Sequence, residues 1–507
     1  MLKFIARRLG ISLLVLLLGS LLLFVLVINA GDPLSDLRES NDPNRENLIR
    51  QRTMYMGLDQ PWYERYFSWL FGVSRCFIGR CDLGTSIGGQ SVNGLVIQAA
   101  GSTLRLVVLA TFLAIIIGVT LGIISAIRQY SAFDYGITLM AFTFYSLPVF
   151  WAAVLLKHYA AIEFNNWLQA GAVFDILTIV LIAGIAAVIV QAAVGGPAKR
   201  RLISAGAIFV VLALVMFYFD AVRWFTRPAI GIPVYILGVL AAAVLIIMMT
   251  SGFGNKKVRN SVAATALFAI VGYSVMRHFL MTQPSTWMLF LAFLVSIAGA
   301  LVLGRLLGGF SRKQAMGASV TLALLASATA LADLLLSNWA SYLAVRPRPI
   351  PTIGAQTPNF STTYWGHFID LLTHLFLPTV VLTLLSIAAY TRYTRASMLD
   401  VMGQDYIRTA RSKGISERKV ITRHALRNSL IPLATIVAFD FAGLIGGAVI
   451  TETVFGWQGM GNLFRVGLTA VDPAPVMAFF LVTGTAAVIM NMIADIAYAF
   501  LDPRISR

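Results

Sequence analysis

Apolar runs of roughly twenty residues recur from one end of the chain to the other, and they constrain the fold more than any other feature. A helix of about twenty residues is long enough to cross the ~30 Å hydrocarbon core of a bilayer. The runs do not alternate apolar and polar residues, which argues against a transmembrane barrel. Because each backbone N–H and C=O group needs a partner within the chain in lipid, the runs are predicted to be helices.

The chain is predicted to cross the membrane about twelve times, as an all-α multi-pass protein of the cell membrane. The first apolar run is too long for the apolar region of a cleaved signal peptide, so we expect a retained anchor helix there. The predicted spans are 9–29, 103–127, 133–156, 173–194, 202–220, 231–251, 261–281, 286–306, 316–337, 371–390, 431–451 and 475–500.

Basic residues set the expected orientation of these spans, since Lys and Arg collect in short loops on the cytoplasmic side. With the N-terminus inside, clusters such as 199–201 and 256–259 fall inside, and segment 391–430 adds nine Lys and Arg residues. The loop 31–100 falls outside, where its seven Arg are diluted by eight Asp or Glu. Both chain ends are therefore expected in the cytoplasm.

The net charge of +17 also invites a nucleic-acid interpretation. However, the basic residues sit in short clusters between apolar runs and form no basic domain. Only 12% of the residues are charged, against about 25% in a typical soluble domain. Orientation in a membrane explains this placement, so no nucleic-acid partner is expected.

The two cysteines of the chain, Cys76 and Cys81, both lie in the predicted outer segment 31–100. In an oxidising exterior such a pair can close a small disulfide ring, and two unpaired thiols are the alternative. We favour the disulfide. The Trp- and Tyr-rich stretch 61–70 in the same segment suits a membrane-interface helix or a docking surface, with a plain connector as the alternative.

The most informative stretch is segment 391–430, which is too polar to enter lipid and too short to be a domain. It contains a predicted short helix over 405–413, ended by Gly414 where a left-handed residue is favoured. Ala410 and Gly414 are small and would let a partner approach closely. The alternative is a basic loop that only orients the chain. Three basic residues would offer charge to an acidic or polar groove: Arg408, Arg411 and Lys413.

Residues 405–414 (DYIRTARSKG), followed by HAL at 424–426, resemble the EAA motif of ATP-binding-cassette (ABC) importer permeases. Within that family they look like the dipeptide, oligopeptide and nickel branch. Arg408 stands where the general motif has Glu and Arg427 where it has Pro, and both departures are typical of the peptide branch. The resemblance implies a coupling helix that docks on a cytoplasmic ATPase through Asp405, Tyr406, Arg408, Thr409, Ala410, Arg411, Lys413 and Gly414.

The resemblance covers residues 1–156 and 338–507 and implies a type I importer core of six helices. This core would comprise a first helix at 1–30, two helices at 101–156 and the remainder at 371–507, with extracytoplasmic segments at 31–100 and 338–370. Further segments that match the family are 57–61 (GLDQP), 82–86 (DLGTS), 145–148 (YSLP), 452–455 (ETVF), 459–461 (GMG) and 501–504 (LDPR).

Residues 157–337 have no counterpart in that family and are predicted to add six inserted transmembrane helices. Because six is even, the insertion leaves the orientation of the following core unchanged. Charges inside or near the ends of spans often mark transport pathways, but we favour side chains that face a membrane interface here. The residues concerned are Asp220, Arg277 and Asp333.

The sequence lacks the motifs of an enzyme. It has no GxxxxGK[ST] loop, so ATP hydrolysis is expected in separate subunits. No cofactor or metal is expected, since the five His are scattered and neither CxxC nor HExxH occurs. Asp440 and Glu452 are the candidates for the translocation path, although Asp440 could instead be hydrogen-bonded within the helix bundle.

Together these expectations describe a permease subunit of an ABC importer for peptides, which forms half of the translocation path and couples to ATPases through 405–414. The implied partners are a second homologous permease, two cytoplasmic ATPases and an extracytoplasmic substrate-binding (lipo)protein. Related permeases carry nickel, haem or glutathione, which remain alternative solutes. A stand-alone secondary transporter or channel is an alternative from another class, and a non-transporting membrane anchor is a third.

Overall fold

The computed structural model of the chain describes residues 2–194 and 196–501, which form α-helices joined by turns and loops. Eleven of the described helices are long and apolar enough to cross a membrane. A twelfth crossing is added if one bent pair of helices counts as a single span. The expectation of an all-α membrane protein with about twelve spans is therefore confirmed.

The first part of the chain contains seven α-helices. A 3-10 turn over Arg75–Ile78 and a π-helix over His158–Glu163 complete it. The helices are α1 (Leu2–Ile28), α2 (Ser35–Arg38), α3 (Arg45–Met56), α4 (Trp62–Ser74), α5 (Val92–Ile127), α6 (Ala132–Ser146) and α7 (Val149–Lys157).

The third expected crossing is bent between α6 and α7. The direction of the chain bends by 100° between the two arms, Ala132–Ser146 and Val149–Gln169. A residue before proline is disfavoured in the α-helical conformation, and Leu147, which precedes Pro148, is extended with a ψ of 124°. The segment 133–156, expected as one span, is therefore divided into two helices.

The middle of the chain contains seven further helices. Six of them, α9 to α14, are long and apolar enough to cross a membrane, as predicted for this region. The helices are α8 (Phe164–Gln169), α9 (Ile176–Ala193), α10 (Ala198–Ala221), α11 (Gly231–Thr250), α12 (Lys256–Thr282), α13 (Thr286–Leu307) and α14 (Arg312–Val345).

The last part contains seven α-helices, and a π-helix over Val420–Ala425 leads into the helix that begins at Leu426. The helix that begins at Tyr364 continues beyond the expected span 371–390 to Met402, so residues 391–402 are helical and not a loop. The helices are α15 (Tyr364–Met402), α16 (Asp405–Ser412), α17 (Glu417–Lys419), α18 (Leu426–Gly447), α19 (Val449–Val454), α20 (Met460–Thr469) and α21 (Pro473–Leu501).

The chain divides into two compact units. Unit 2 takes in most of the segment expected to be inserted, 157–337, and most of the segment 338–370 expected to be an outer loop. Unit 1 consists of residues 1–160, 352–355 and 374–507, and unit 2 of residues 161–351 and 356–373.

In unit 1, two glycines of α5 let this helix approach α15 closely. A Cβ atom on Gly118 would lie 2.8 Å from the Cβ of Tyr390, and one on Gly122 would lie 2.7 Å from the Cβ of Thr394. No side chain fits in those gaps, so the two backbones pack directly against each other. Next to this contact, Ala114 of α5 packs with the buried side chain of Leu433 from α18.

In unit 2, the carboxylate of Asp333 in α14 is fully buried. It accepts hydrogen bonds from Tyr273 Oη at 2.6 Å, Gly231 N at 2.7 Å and Arg277 Nε at 2.8 Å. The interpretation that Asp333 faces a membrane interface is wrong, because this ion pair and its hydrogen bonds hold the charge inside the helix bundle. Asp220 is half-buried and accepts a hydrogen bond from the backbone N–H of Phe174.

Candidate functional site

The helix predicted from the polar segment is present as α16, Asp405–Ser412. It begins after Gln404, whose backbone is extended, and it ends at Lys413. Gly414 has a φ of +72°, its N–H donates to the carbonyl of Arg411 at 2.9 Å, and the N–H of Ile415 donates to that of Ala410 at 3.3 Å. These two bonds form a Schellman motif, so the predicted glycine stop is confirmed.

One face of α16 packs against the chain itself. Ile407 is fully buried and Ala410 is 6% exposed, and the two lie three positions apart on one face. They pack in a cluster with Ala126 of α5 and Met398 of α15. The expectation that Ala410 leaves room for a partner is therefore wrong, because its methyl group fills space within unit 1.

The opposite face of α16 is exposed and carries charge. Arg411 donates to Glu417 through two nitrogens, at 2.7 and 3.1 Å, and this hydrogen bonding lowers the pKa of the Glu417 carboxyl. Tyr406 Oη accepts a hydrogen bond from Asn428 Nδ2 at 2.8 Å. The exposed members of the predicted coupling set are Asp405, Tyr406, Arg408, Thr409, Arg411, Lys413 and Gly414.

The end of α15 that leads to α16 is fixed by a buried ion pair. Arg395 binds Asp134 of α6 through Nε at 2.7 Å and Nη2 at 2.9 Å. Ser125 of α5 and the backbone N–H of Tyr130 donate to the same carboxylate. Sequence reasoning counted Arg395 only among nine basic residues and missed Asp134, whose one signal was an acid at the start of an apolar run.

Arg392 forms a second contact between α15 and α6. Its guanidinium lies 4.8 Å from the ring centroid of Tyr145 and 5.6 Å from that of Phe142, both in α6. A cation over an aromatic face is attracted by the ring quadrupole within about 6 Å. The C-terminal part of α15 is therefore held to α6 at two successive turns, by Arg392 and by Arg395.

Glu452, one of two candidates for the translocation path, has no exposed surface in this structure. Its carboxylate accepts hydrogen bonds from Thr103 Oγ1 at 2.7 Å and from the backbone N–H of Asn462 at 3.0 Å. Thr103 in turn accepts from the backbone N–H of Met460 at 2.8 Å. The structure thus brings together two sequence motifs, 452–455 and 459–461, around the buried carboxylate of Glu452, which Thr103 of α5 contacts.

Asp440, the other candidate, lies half-buried between α18 and α15. Its carboxylate accepts hydrogen bonds from Tyr390 Oη at 2.6 Å and Ser386 Oγ at 2.8 Å. Of the two alternatives left by the sequence, hydrogen bonding within the bundle is the geometry observed. A role of Asp440 in the translocation path stays a prediction.

The predicted disulfide between Cys76 and Cys81 is present and follows α4. Nearby, residues 82–86 fold back onto the start of α21. The buried carboxylate of Asp472 accepts hydrogen bonds from the backbone N–H of Ile87 at 2.5 Å and of Ala474 at 3.3 Å. This links the residue after the 82–86 motif to the residue before the last helix. The last three residues of the 501–504 motif lie outside the described residues.

Two family comparisons match separate parts of the chain. Residues 273–507 match the binding-protein-dependent transport system inner membrane component, and residues 1–107 match the N-terminal part of such membrane components. The first match begins inside the segment expected to be inserted, 157–337. The insertion therefore stays a prediction.

Three curated relatives have similar sequences. The oligopeptide transport permease OppB of Mycobacterium tuberculosis is 42% identical over 152 residues, 30% of this chain and 47% of the relative. AppB of Bacillus subtilis, also an oligopeptide transport permease, is 45% identical over 155 residues, 31% of this chain and 48% of the relative. The dipeptide transport permease DppB of Escherichia coli is 40% identical over 147 residues, 28% of this chain and 43% of the relative.

The chain spans about half the length of the curated relatives that it matches. The family matches, by contrast, include both the first span and the segment that contains α16. Over residues 1–107 and 273–507, the chain therefore belongs to the inner membrane components of binding-protein-dependent transport systems.

Proposed function

We propose that the chain is the transmembrane permease subunit of an ABC importer for peptides and that it forms half of the translocation path. The observation that carries this proposal is the arrangement of α16, whose apolar face is fixed to α5 and α15 while its charged face is exposed. A helix that docks on a partner and moves other helices needs an exposed face for the partner and an apolar face packed on those helices. The named relatives, which are oligopeptide and dipeptide transport permeases, support peptides as the solute.

The other parts of the importer are separate proteins in this proposal. They are a second homologous permease, two cytoplasmic ATPases and an extracytoplasmic substrate-binding (lipo)protein. The exposed face of α16 and both chain ends lie on the cytoplasmic side, as the distribution of Lys and Arg indicates. ATP hydrolysis belongs to the ATPases, because the chain has no phosphate-binding loop motif.

The packing of α16 provides a route for mechanical coupling. Movement of the ATPases displaces α16, and the buried side chains of Ile407 and Ala410 pass the displacement to α5 and α15, since close-packed groups move together. The pair between Asp134 and Arg395 makes the adjoining end of α6 follow. The core then alternates between two stable packings, open to one side of the membrane or the other.

The two acids have different roles in this proposal. Asp440 is half-buried and lines the path, where Tyr390 and Ser386 hold its carboxylate between α15 and α18. Glu452 is fully buried, so it holds the 459–461 turn against α5 and does not meet the solute. An intramembrane acid that faces other helices is a usual feature of transport paths.

Reconstitution into proteoliposomes tests the function. Proteoliposomes that contain the chain, a homologous second permease, the ATPases and the binding protein should transport a radiolabelled dipeptide or pentapeptide. Transport should occur only when ATP is present on the side of the membrane where the ATPases lie. The chain alone should take up no peptide under a proton or sodium gradient. Gradient-driven uptake by the chain alone would instead establish a secondary transporter, and ATP-dependent uptake of nickel or haem without peptide would reassign the solute.

Site-directed cross-linking tests the docking surface separately. Thr409→Cys places a thiol on the exposed face of α16, and the natural cysteines are already joined in a disulfide. This variant should cross-link to an ATPase, whereas Asp59→Cys, exposed in the predicted outer segment, should not. Cross-linking at position 59 with none at 409 would contradict both the orientation and the role of α16.

A further inference from the structure

The outer part of unit 1 contains an open cleft of about 270 Å³ that the coupling and path proposals do not use. Its walls come from α3, α4, the 82–86 motif and the start of α21. The apolar part of its lining is formed by Phe24, Met56, Trp69 and Met477. The volume is close to the lower limit for small-ligand pockets, about 300 Å³, which suits a ligand the size of one or two amino-acid residues.

Two residues that line this cleft, Arg65 and Trp69, carry side-chain donors with no partner among the described residues. The indole Nε1–H of Trp69 is buried without an acceptor. The guanidinium of Arg65 also lines the cleft, and no hydrogen bond or ion pair joins it to a described residue. Burial lowers the pKa of Arg65, whereas nearby Arg52 binds Asp36 at 2.5 Å. A buried donor such as the Trp69 N–H is costly unless an acceptor is supplied, whereas Arg65 is half-buried.

The two donors lie on one face of α4. Positions 65 and 69 are one helical turn apart, so their side chains point to the same side. The Arg65 guanidinium also lies 5.8 Å from the ring centroid of Phe24, at the apolar part of the lining. A cation and a neutral N–H donor beside an apolar surface form a site for a carboxylate attached to a hydrocarbon group.

The acids of the cleft restrict where an anion can bind. Asp82 and Asp472 line the cleft, and neither forms an ion pair with Arg65. Asp472 already accepts backbone hydrogen bonds from Ile87 and Ala474. Because like charges repel, an anionic group is disfavoured next to these two carboxylates.

We propose that this cleft binds the terminal carboxylate of a peptide, with Arg65 and Trp69 as donors and the last side chain on the apolar lining. The proposal rests on peptides being the solute, and it adds a peptide site outside the membrane-spanning segments. A carboxylate side chain of a docked protein has the same chemistry. The small volume favours the end of a short peptide over a folded segment.

A labelling-protection experiment on the full chain in lipid nanodiscs tests the site. Ser68→Cys places a single reactive thiol in the cleft, because Cys76 and Cys81 are joined. The probes are N-acetyl-alanyl-leucine with a free carboxylate and the same peptide as its C-terminal amide. We expect the acid to slow maleimide labelling by about tenfold at ten times its half-protecting concentration, and the amide to have no effect.

Variants in the same background identify the donors. Arg65→Gln and Trp69→Phe should each raise the half-protecting concentration by about tenfold, the effect of losing one hydrogen bond to a charged group. Arg50→Gln is the matched control, since Arg50 is exposed on α3 and does not line the cleft. Unchanged labelling rates without peptide show that each variant is folded.

Three outcomes would overturn the proposal. The first is equal protection by the acid and the amide. The second is an Arg65→Gln variant that behaves like Arg50→Gln. The third is protection by a purified substrate-binding protein with none by free peptide, which would assign the cleft to a protein carboxylate. If free peptide protects the Ser68→Cys thiol but the reconstituted importer shows no ATP-dependent peptide uptake, the proposed function is refuted and the cleft site remains. The two failures are therefore distinguishable.

Discussion

Arg395 and Asp134 form a two-pronged ion pair, with N–O distances of 2.7 and 2.9 Å, between residues 261 positions apart in the chain. The Asp134 side chain is 3% exposed and that of Arg395 is 28% exposed. Ser125 adds a donor from α5, so three helices meet at one carboxylate. This junction lies just before α16, the helix that we propose to contact an ATPase.

Breaking this pair from one side should cost far more than removing it altogether. Arg395→Met leaves the Asp134 charge buried and unpaired, and we expect a loss of about 3–5 kcal/mol in the free energy of unfolding. The double variant Asp134→Leu/Arg395→Met should recover much of that loss. Thermal unfolding of the purified variants in detergent measures both, and strictly additive losses would show that the two residues are not coupled.

Ala410 should tolerate a larger side chain poorly, because it is buried against α5 and α15. Ala410→Leu is expected to lower the stability of the isolated chain by about 1–3 kcal/mol through overpacking. Thr409→Leu, on the exposed face, should change it by less than about 0.5 kcal/mol. Denaturant unfolding of the two variants provides the comparison. Equal stabilities would mean that Ala410 faces outward, as the sequence suggested.

Gly414 should be sensitive to side-chain branching and not to size. Among the described residues no atom lies within 4 Å of a Cβ placed there, so the cost of substitution comes from its φ of +72°. Gly414→Val should therefore disturb the end of α16 and weaken ATPase association, because a left-handed backbone costs about 1–2 kcal/mol. Gly414→Asn, which tolerates this conformation, should retain association in a pull-down with the ATPases. Equal binding by both variants would contradict this reason.

Substitution of Asp333 should lower the stability of unit 2 more than substitution of its hydrogen-bond partner Tyr273. Asp333→Ala leaves Arg277 and the N–H of Gly231 without their acceptor, and we expect a loss of about 3–5 kcal/mol. Tyr273→Phe removes one hydrogen bond, worth about 1 kcal/mol. Limited proteolysis and thermal unfolding should rank the two variants in that order. The reverse order would show that Tyr273 packing, and not the ion pair, dominates.

The Asp472 carboxyl should contribute to the pH dependence of the free energy of unfolding. Burial raises the pKa of this carboxyl above its usual value of 3.8. The folded state therefore favours the protonated form, so the contribution of Asp472 is fully present below pH 3.8 and is lost as the pH rises through the raised pKa. Asp472→Asn should gain stability relative to the natural chain as the pH increases from 4 to 7.

Melting temperatures of the two proteins at several pH values across that range measure this difference. Asp59→Asn, an exposed position in the same outer segment, is the matched control and should show a constant offset. A constant offset for Asp472→Asn as well would show that burial of this carboxyl does not affect folding in this range.

Local patterns explain what the sequence could predict. The spans follow from hydropathy, and the α16 stop follows from a glycine after a short polar helix, which the Schellman bonds of Gly414 and Ile415 confirm. The helical periodicity of α16 could have corrected the expectation that Ala410 leaves room for a partner. It lies three residues after Ile407, so an apolar face shared by the two was visible in the sequence.

Pairings between distant residues could not be predicted in this way. No single-sequence pattern links Asp134 to Arg395, or Glu452 to Thr103, because those contacts depend on how separate helices pack. The charge of Asp333 was visible, but whether it faced a membrane interface or another helix depended on Arg277 and Tyr273 reaching it. The unpartnered donors of Arg65 and Trp69 beside the cleft could be recognised only once α4 was placed.

The close approach of Gly118 and Gly122 to α15 provides a contact near one end of α5 about which this helix can tilt. At about 1.5 Å per residue, the arm from this contact to Ala126, beside α16, is about 9 Å long, and the arm to Val92 is about 42 Å long. A tilt of α5 about that point would magnify a shift at Ala126 roughly four- to fivefold at Val92. A displacement of about 1 Å at Ala126 would therefore move Val92 by about 4 to 5 Å, close to the spacing between neighbouring β-strands.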